Sequence, residues 1–177
     1  KPQAKSKFPS LEAAKQIEDQ EKRIKALVWG EDRVGEFLWK TTSRTFRYAA
    51  NRIPEIADNI VEIDNAIKWG FGWEIGVFES WDAVGLQASV DRMHKEGQAV
   101  PPSISKMLAN GAEKFYRNQN GNHFYYDLVG GEELIIVCDD RIIHNGGVEK
   151  LGFYPARTDC HHFDAAFFIL GIHSSGK

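Results

Sequence analysis

Cysteine is nearly absent. Cys138 and Cys160 are the two thiols in 177 residues. Two thiols cannot build a disulfide framework, which points to a reducing compartment, the cytoplasm. A dominant charge is also missing. Twenty-two basic and 25 acidic residues leave a formal net charge of -3. No basic field is present to hold nucleic acid or an anionic membrane surface. No apolar run approaches the ~20 residues that cross a bilayer, and no signal-peptide pattern appears. A G-K-[ST] phosphate loop and a G-x-S-x-G nucleophile elbow are both absent. No internal repeat or low-complexity tract stands out.

What is present is a globular composition, 42% hydrophobic and 27% charged. The chain opens on Lys1, and "KPQAKSKFPS" reads as a basic, proline-containing linker. Both features suggest a segment cut from a longer polypeptide, with residues 1–9 as linker. Ser10 then reads as an N-cap. Ala14, Ile17, Ile24, Leu27 and Val28 recur at helical spacing up to Gly30. A longer helix is expected from Asp32 to Ala50. Val34, Phe37, Leu38, Thr41, Thr45 and Tyr48 form its main stripe, with Trp39 and Phe46 off it.

Pro54 reads as the first turn of a third helix carrying Ile56, Ile60, Ile63 and Ile67, ended by Gly70 and Gly72. Short helices are expected from Phe78 to Val84, from Leu86 to Glu96, and after Ser103 up to Gly111. Beyond Phe115 the texture changes. Asn120-Gly121 between aromatic-flanked arms predicts a tight hairpin, because both turn positions need positive φ. "ELIIVCD" reads as a strand, "IHNGG" as a turn and "AAFFILGIHS" as a further strand. The expected fold is mainly α: a helical bundle over 10–111, then a β-hairpin or irregular tail over 112–177.

The most informative stretch is "IDNAIKWGFGWEIGVFESWDAVG", from Ile63 to Gly85. A dinucleotide loop needs G-x-G-x-x-G directly after a strand. Here "GFGWEIG" is one residue too long and follows a helix, and Phe71, Trp73 and Glu74 would crowd or repel a pyrophosphate. A structural corner fits better. Gly70 and Gly72 supply backbone freedom. Trp69, Trp73, Phe78 and Trp81 supply apolar cover, and Asp64 and Asp82 can bind turn backbone.

These residues resemble the helical C-terminal domain of the 3-hydroxyacyl-CoA dehydrogenase family. The likeness rests on Ile63, Asp64 and Ala66, then Gly70 and Gly72, then Gly76 and Phe78, then Asp82, Gly85 and Leu86. It covers roughly Val34 to Gly111. Val77 stands where the family usually has proline. The linker and "FPSLEAAKQIEDQEKRIKALVWGEDRVGEFLW" further resemble the second helical repeat of long members that also carry an enoyl-CoA hydratase domain.

The resemblance implies a parent enzyme that uses NAD to oxidise a 3-hydroxyacyl-CoA in fatty-acid β-oxidation. It places the catalytic pair and the dinucleotide motif in a separate nucleotide-binding domain. No catalytic, cofactor-binding or metal residue is therefore assigned here. Asp64, Gly70, Gly72, Gly76, Phe78, Asp82 and Gly85 are assigned as a structural motif. The implied partners are the nucleotide-binding and first helical domains of the same enzyme, a downstream hydratase domain, and the acyl-CoA held by the parent. Ser43-Arg44 and Asn51-Arg52 are the candidate counterparts of the family's polar Asn-Arg position. Exposed aromatics such as Trp39 or Phe46 are candidates for packing on the neighbouring repeat, against plain core packing as the simpler role.

Other groupings are weaker. Cys160, His161, His162 and Asp164, with His173, are competent metal ligands, but adjacent histidines point apart in an extended chain. Cys138 reads as buried, and His123 and His144 as turn or hairpin residues. Asp64 and Asp82 could form an acid/base pair, but capping explains each more simply. The competing function class is a standalone helical interaction or ligand-binding module; a third is a small enzyme using the Cys160–His162 region.

Overall fold

A computed structural model describes residues 7–137, 141–144 and 147–150. Seven helices come first: α1 (Pro9–Ala14), α2 (Gln20–Val28), α3 (Arg33–Ala50), α4 (Ile60–Phe71), α5 (Val77–Val84), α6 (Leu86–Lys95) and α7 (Pro102–Ala109). Five strands come after them: β1 (Tyr116–Gln119), β2 (Asn122–Tyr126), β3 (Glu133–Val137), β4 (Arg141–His144) and β5 (Gly147–Lys150). The strands form one antiparallel meander in sequence order. The fold is mainly α with a small sheet after the helices.

The long first helix expected from Ser10 is two helices. Asp19 accepts from the Lys22 amide at 2.7 Å and starts α2 afresh. Ser10 lies inside α1, and its N–H and hydroxyl both donate to Asp32, at 2.9 and 2.8 Å. Asp32 also accepts from the amides of Val34 and Gly35, capping α3. One carboxylate thus joins α1 to the start of α3. Most of the expected stripe of α3 lies on its outward side, although Leu38 packs against the core. Phe37 and Tyr48 are each 64% exposed, whereas Trp39, Ser43 and Phe46 are buried. Trp39 and Phe46 are therefore core residues, and their candidacy as exposed contacts fails. The two stripes lie about 150° apart on a 3.6-residue helix, on nearly opposite faces, and tertiary packing chose between them.

The third helix does not begin at Pro54. A turn occupies 51–56, and Asn59 caps α4 by accepting from the Glu62 amide at 3.0 Å. Glu62 in turn accepts from the Asp58 amide. Ile56 is left 69% exposed, whereas Ile60 is buried. Gly72, at φ 66, ends α4 one residue beyond Phe71. Pro101, not Ser103, stands at the N-cap of α7. Two glycines close helices as expected. Gly97 (φ 68) after α6 and Gly111 (φ 80) after α7 each sit in a left-handed turn closed by paired backbone bonds to the last helical turn.

The hairpin reading of Asn120-Gly121 holds, with φ values of 53 and 80. The sheet is not a separate layer. Phe115, Tyr125, Tyr126, Leu128 and Leu134 are buried in the same cluster as Trp39, Phe46, Trp81 and Met93. Tyr125 lies directly opposite Leu134 across β2 and β3. Asn110, just after α7, donates to the Tyr126 hydroxyl at 3.0 Å. "AAFFILGIHS" and the thiols and histidines from Cys138 and Cys160 to His173 lie outside the described residues, His144 being described in its backbone as part of β4.

Candidate functional site

The corner between α4 and α5 is built around one carboxylate. After Gly72 the chain turns back so that α5 starts against the middle of α4. Gly76 occupies the N-cap of α5 and has no side chain to bind the free amides. Asp64, reaching from α4, supplies the missing acceptor. Its Oδ1 accepts from the Phe78 amide at 2.9 Å, and its Oδ2 accepts from the Glu79 amide at 3.0 Å. Oδ2 also accepts from the Tyr116 hydroxyl at 2.9 Å, which brings β1 to the same point. Asp64 is 1% exposed.

Gly76 is glycine for reasons of space. A Cβ there would lie 2.3 Å from Cγ of Asp64. Its φ of -78 is ordinary, so the requirement is close approach rather than backbone strain. Glu79 reinforces the start of the helix. It accepts from the Gly76 amide at 2.6 Å and pairs with Lys68 of α4 at 2.7 Å. Asp82, one turn along α5, accepts from the amides of Phe115 and Tyr116 at 2.8 and 2.9 Å. The two aspartates therefore bind the start of strand β1 from two neighbouring helices.

Aromatic rings fill the space around them. Phe46 of α3 stacks on Trp81 at 4.7 Å, and Phe115 meets Phe78 edge-on at 4.9 Å and Trp81 at 5.3 Å. Such packing lowers the local dielectric and penalises charge. Burial pushes the Asp64 carboxyl up to about 6, against the opposing pull of its three donors. Burial likewise pushes Asp82 up to about 7, against the two amides it binds. The Tyr116 hydroxyl is raised well above the ordinary phenol range, first by burial and then by Asp64.

The remaining motif residues are placed differently. Phe78 is in the core, and Gly85, at φ 102, joins α5 to α6. Gly70 has open space around it, and Gly72 is the left-handed C-cap. Trp73 is 56% exposed and does not cover the corner; the core rings are Phe78 and Trp81. Ser43 is buried, and its hydroxyl faces the Lys40 carbonyl at 3.4 Å; Asn51 is exposed at the end of α3. Sequence reasoning missed Glu79, Lys68 and Tyr116. The Gly76–Glu79 spacing is a visible helix-start signal, but the strand tyrosine has no local signal. His123 is exposed on β2 and bonds Asn118 at 2.7 Å. No group of three or more metal-competent side chains occurs among the described residues.

Chemically, the corner binds backbone. The carboxylate oxygens of both aspartates are directed at amides or the tyrosine hydroxyl. The arrangement fastens α4, α5 and β1 together.

Over 140 residues the chain is 49% identical to a Bacillus subtilis protein named as a 3-hydroxyacyl-CoA dehydrogenase. The chain belongs to the 3-hydroxyacyl-CoA dehydrogenase family. That match takes in 79% of the chain and 18% of the Bacillus protein. A second relative, from Rickettsia felis, is named as a fatty acid oxidation complex trifunctional enzyme. It is 26% identical over 144 residues, which are 77% of this chain and 18% of that protein. The chain thus spans about a fifth of the length of these two curated 3-hydroxyacyl-CoA dehydrogenase and fatty-acid-oxidation relatives. No family model matches the chain. No solved structure matches it.

Proposed function

We propose that this chain is a non-catalytic helical lobe of an NAD-dependent 3-hydroxyacyl-CoA dehydrogenase of fatty-acid oxidation, working in the cytoplasm. Its task is to pack on other parts of the parent enzyme and brace the acyl-CoA cleft. NAD and the acyl-CoA are held elsewhere in the parent, by its nucleotide-binding and first helical domains. A hydratase domain is a further partner. In this reading residues 1–9 serve as linker, 10–111 as the helical domain and 112–177 as a β-rich tail towards the hydratase domain, its first strands sharing the helical core. Asp64, Gly70, Gly72, Gly76, Phe78, Asp82 and Gly85 maintain the lobe's shape.

The observation that carries this reading is the division of labour among side chains. The buried carboxylates serve the fold, while large apolar residues face outward. Phe37, Tyr48, Ile56, Phe71 and Trp73 are all more than half exposed. Burying one such side chain in an interface contributes about 1.5–3 kcal/mol before the costs of association. No helix among the described residues is long and apolar enough to cross a membrane.

The test is reconstitution. A parent dehydrogenase produced without this segment is mixed with the separate 177-residue chain. Association, with recovery of NADH formation from a 3-hydroxyacyl-CoA, is the expected result. NADH formation by the chain alone would contradict the reading, as would failure of the two pieces to associate.

A further inference from the structure

The sequence contains three Asn-Gly pairs: Asn110-Gly111, Asn120-Gly121 and Asn145-Gly146. The third lies outside the described residues. The first two share the same covalent chemistry and have opposite surroundings. Asparagine is among the chemically labile residues of a protein. The backbone nitrogen of the next residue can attack its Cγ, and a following glycine carries no side chain to block that approach. Three things then decide whether the attack occurs in a folded chain. They are the freedom of the asparagine side chain, the freedom of the glycine amide, and the ease with which the local backbone opens.

At the end of α7 both reacting groups are held. Nδ2 of Asn110 donates to the Tyr126 hydroxyl at 3.0 Å and to the Gly131 carbonyl at 3.4 Å. Tyr126 is buried, so this side chain is tied to the core. The Gly111 amide donates to the Leu108 carbonyl at 3.0 Å. At the hairpin tip neither group is held. Asn120 and Gly121 are both exposed. The Asn120 side chain has no hydrogen-bond partner among the described residues, and neither has the Gly121 amide. Nothing lies within 4 Å of where a Cβ on Gly121 would stand. Asn120 sits in the left-handed region at φ 53, and rotation about its Cα–C bond brings the Gly121 nitrogen to Cγ. The Gln119–Asn122 pair closes the turn, so this rotation opens the tip and leaves the core intact. Loop tips open at little cost, whereas elements anchored in the core open only at a cost near that of global unfolding.

We propose that Asn120 is a site of spontaneous deamidation selected by the fold, with water as co-reactant and Asn110 spared. The Gly121 nitrogen gives its proton to solvent base and forms a bond to Cγ of Asn120. The Cγ–Nδ2 bond breaks, and Nδ2 leaves as ammonia with a proton from water. Water then opens the cyclic imide at either carbonyl, which gives aspartate or isoaspartate. Nothing is oxidised or reduced. Either product adds one negative charge to a chain of net charge -3. Isoaspartate also lengthens the main chain by one methylene, which a two-residue turn cannot absorb. The damage stays at the tip, because Asp82 and Asp64 hold the other end of the hairpin at Phe115 and Tyr116. The inference stands independently of the lobe's place in a dehydrogenase.

The experiment is timed incubation of the 177-residue chain near pH 7.5 and near pH 9, folded and in concentrated urea. Proteolytic digestion and mass spectrometry then follow the amide-to-acid conversion of each Asn-Gly peptide separately, so the pair at 145–146 does not enter the comparison. In the folded chain Asn120 should convert at least tenfold faster than Asn110. Its rate should rise with pH, because the attacking amide must lose its proton. In urea the rates at the two pairs should converge, since their covalent neighbourhoods are alike and the protecting bonds are gone. Equal or reversed rates in the folded chain would overturn the proposal, as would a folded chain in which Asn120 stays intact. A tenfold difference that survives in urea would assign the selectivity to neighbouring sequence and overturn the role given to the fold.

Discussion

Gly76 and Gly70 stand six residues apart and do opposite things. At Gly76 a methyl group would strike the buried Asp64 carboxyl, whereas at Gly70, inside α4, nothing lies within 4 Å. Gly76→Ala should therefore destabilise the chain by about 2 kcal/mol or more. Gly70→Ala should stabilise it by about 0.5–1 kcal/mol, through the better helix propensity of alanine. Paired denaturant titrations check both, and equal effects would remove the steric account. Asp64 itself carries a pH signature. Its folded value of about 6, and that of Asp82 near 7, lie above the ordinary 3.8. A raised carboxyl contributes stability that is full below 3.8 and is lost as pH rises through the folded value. Glu79 and Tyr116 face Asp64, and Lys114 and Asp64 act on Asp82. The melting temperature should thus fall from pH 5 to pH 7.5, by the equivalent of on the order of 2 kcal/mol per carboxyl. Below about pH 4.5 the opposite trend sets in, as the lowered carboxyls of Asp32, Glu36 and Glu96 lose their charge. Asp64→Asn should flatten the upper limb of this curve while lowering stability overall. An unchanged slope would show that the carboxyl does not titrate there.

At the scale of the element, α3 presents two apolar faces and the core takes only one. Phe46→Ala, which removes a ring stacked on Trp81, should cost about 3–5 kcal/mol. Phe37→Ala, on the outward face, should change the stability of the separate chain by less than ~0.5 kcal/mol. Unfolding midpoints of the two variants make the comparison. Helix identity along this stretch was legible from periodicity and from Gly30, Gly72, Gly97 and Gly111. The Asn59–Glu62 and Asp19 start signals were equally present in the sequence, but Pro54 and Ser10 competed with them. Asn59 prevails because its side chain meets a free amide of α4. Ser10 loses its capping role because Asp32 claims its hydroxyl from 22 residues away, a contact that no local window contains.

Over the whole molecule, helices and strands share one core, so the change of texture near Phe115 is a change of element rather than of core. Asp82 and Asp64 fasten that junction by binding the backbone and hydroxyl of the first strand residues. The outward residues Phe37 and Tyr48 belong to the next level of assembly in the proposed lobe. The double variant Phe37→Glu, Tyr48→Glu should keep the melting temperature of the chain while weakening its association with the remainder of a parent enzyme at least tenfold. Sedimentation or calorimetric titration reads this directly, and undiminished association would assign the interface to another face. The amino-acid sequence alone determined the mainly helical character, the Asn120-Gly121 hairpin and the likeness to one dehydrogenase family, since each rests on local spacing or on residue order. The tertiary structure decided which face of α3 is buried, that Trp73 is outward, and that Asp64 caps a helix 14 residues away and holds a tyrosine 52 residues away. Those outcomes depend on which surfaces meet, and local periodicity carries no information about the partner across the contact.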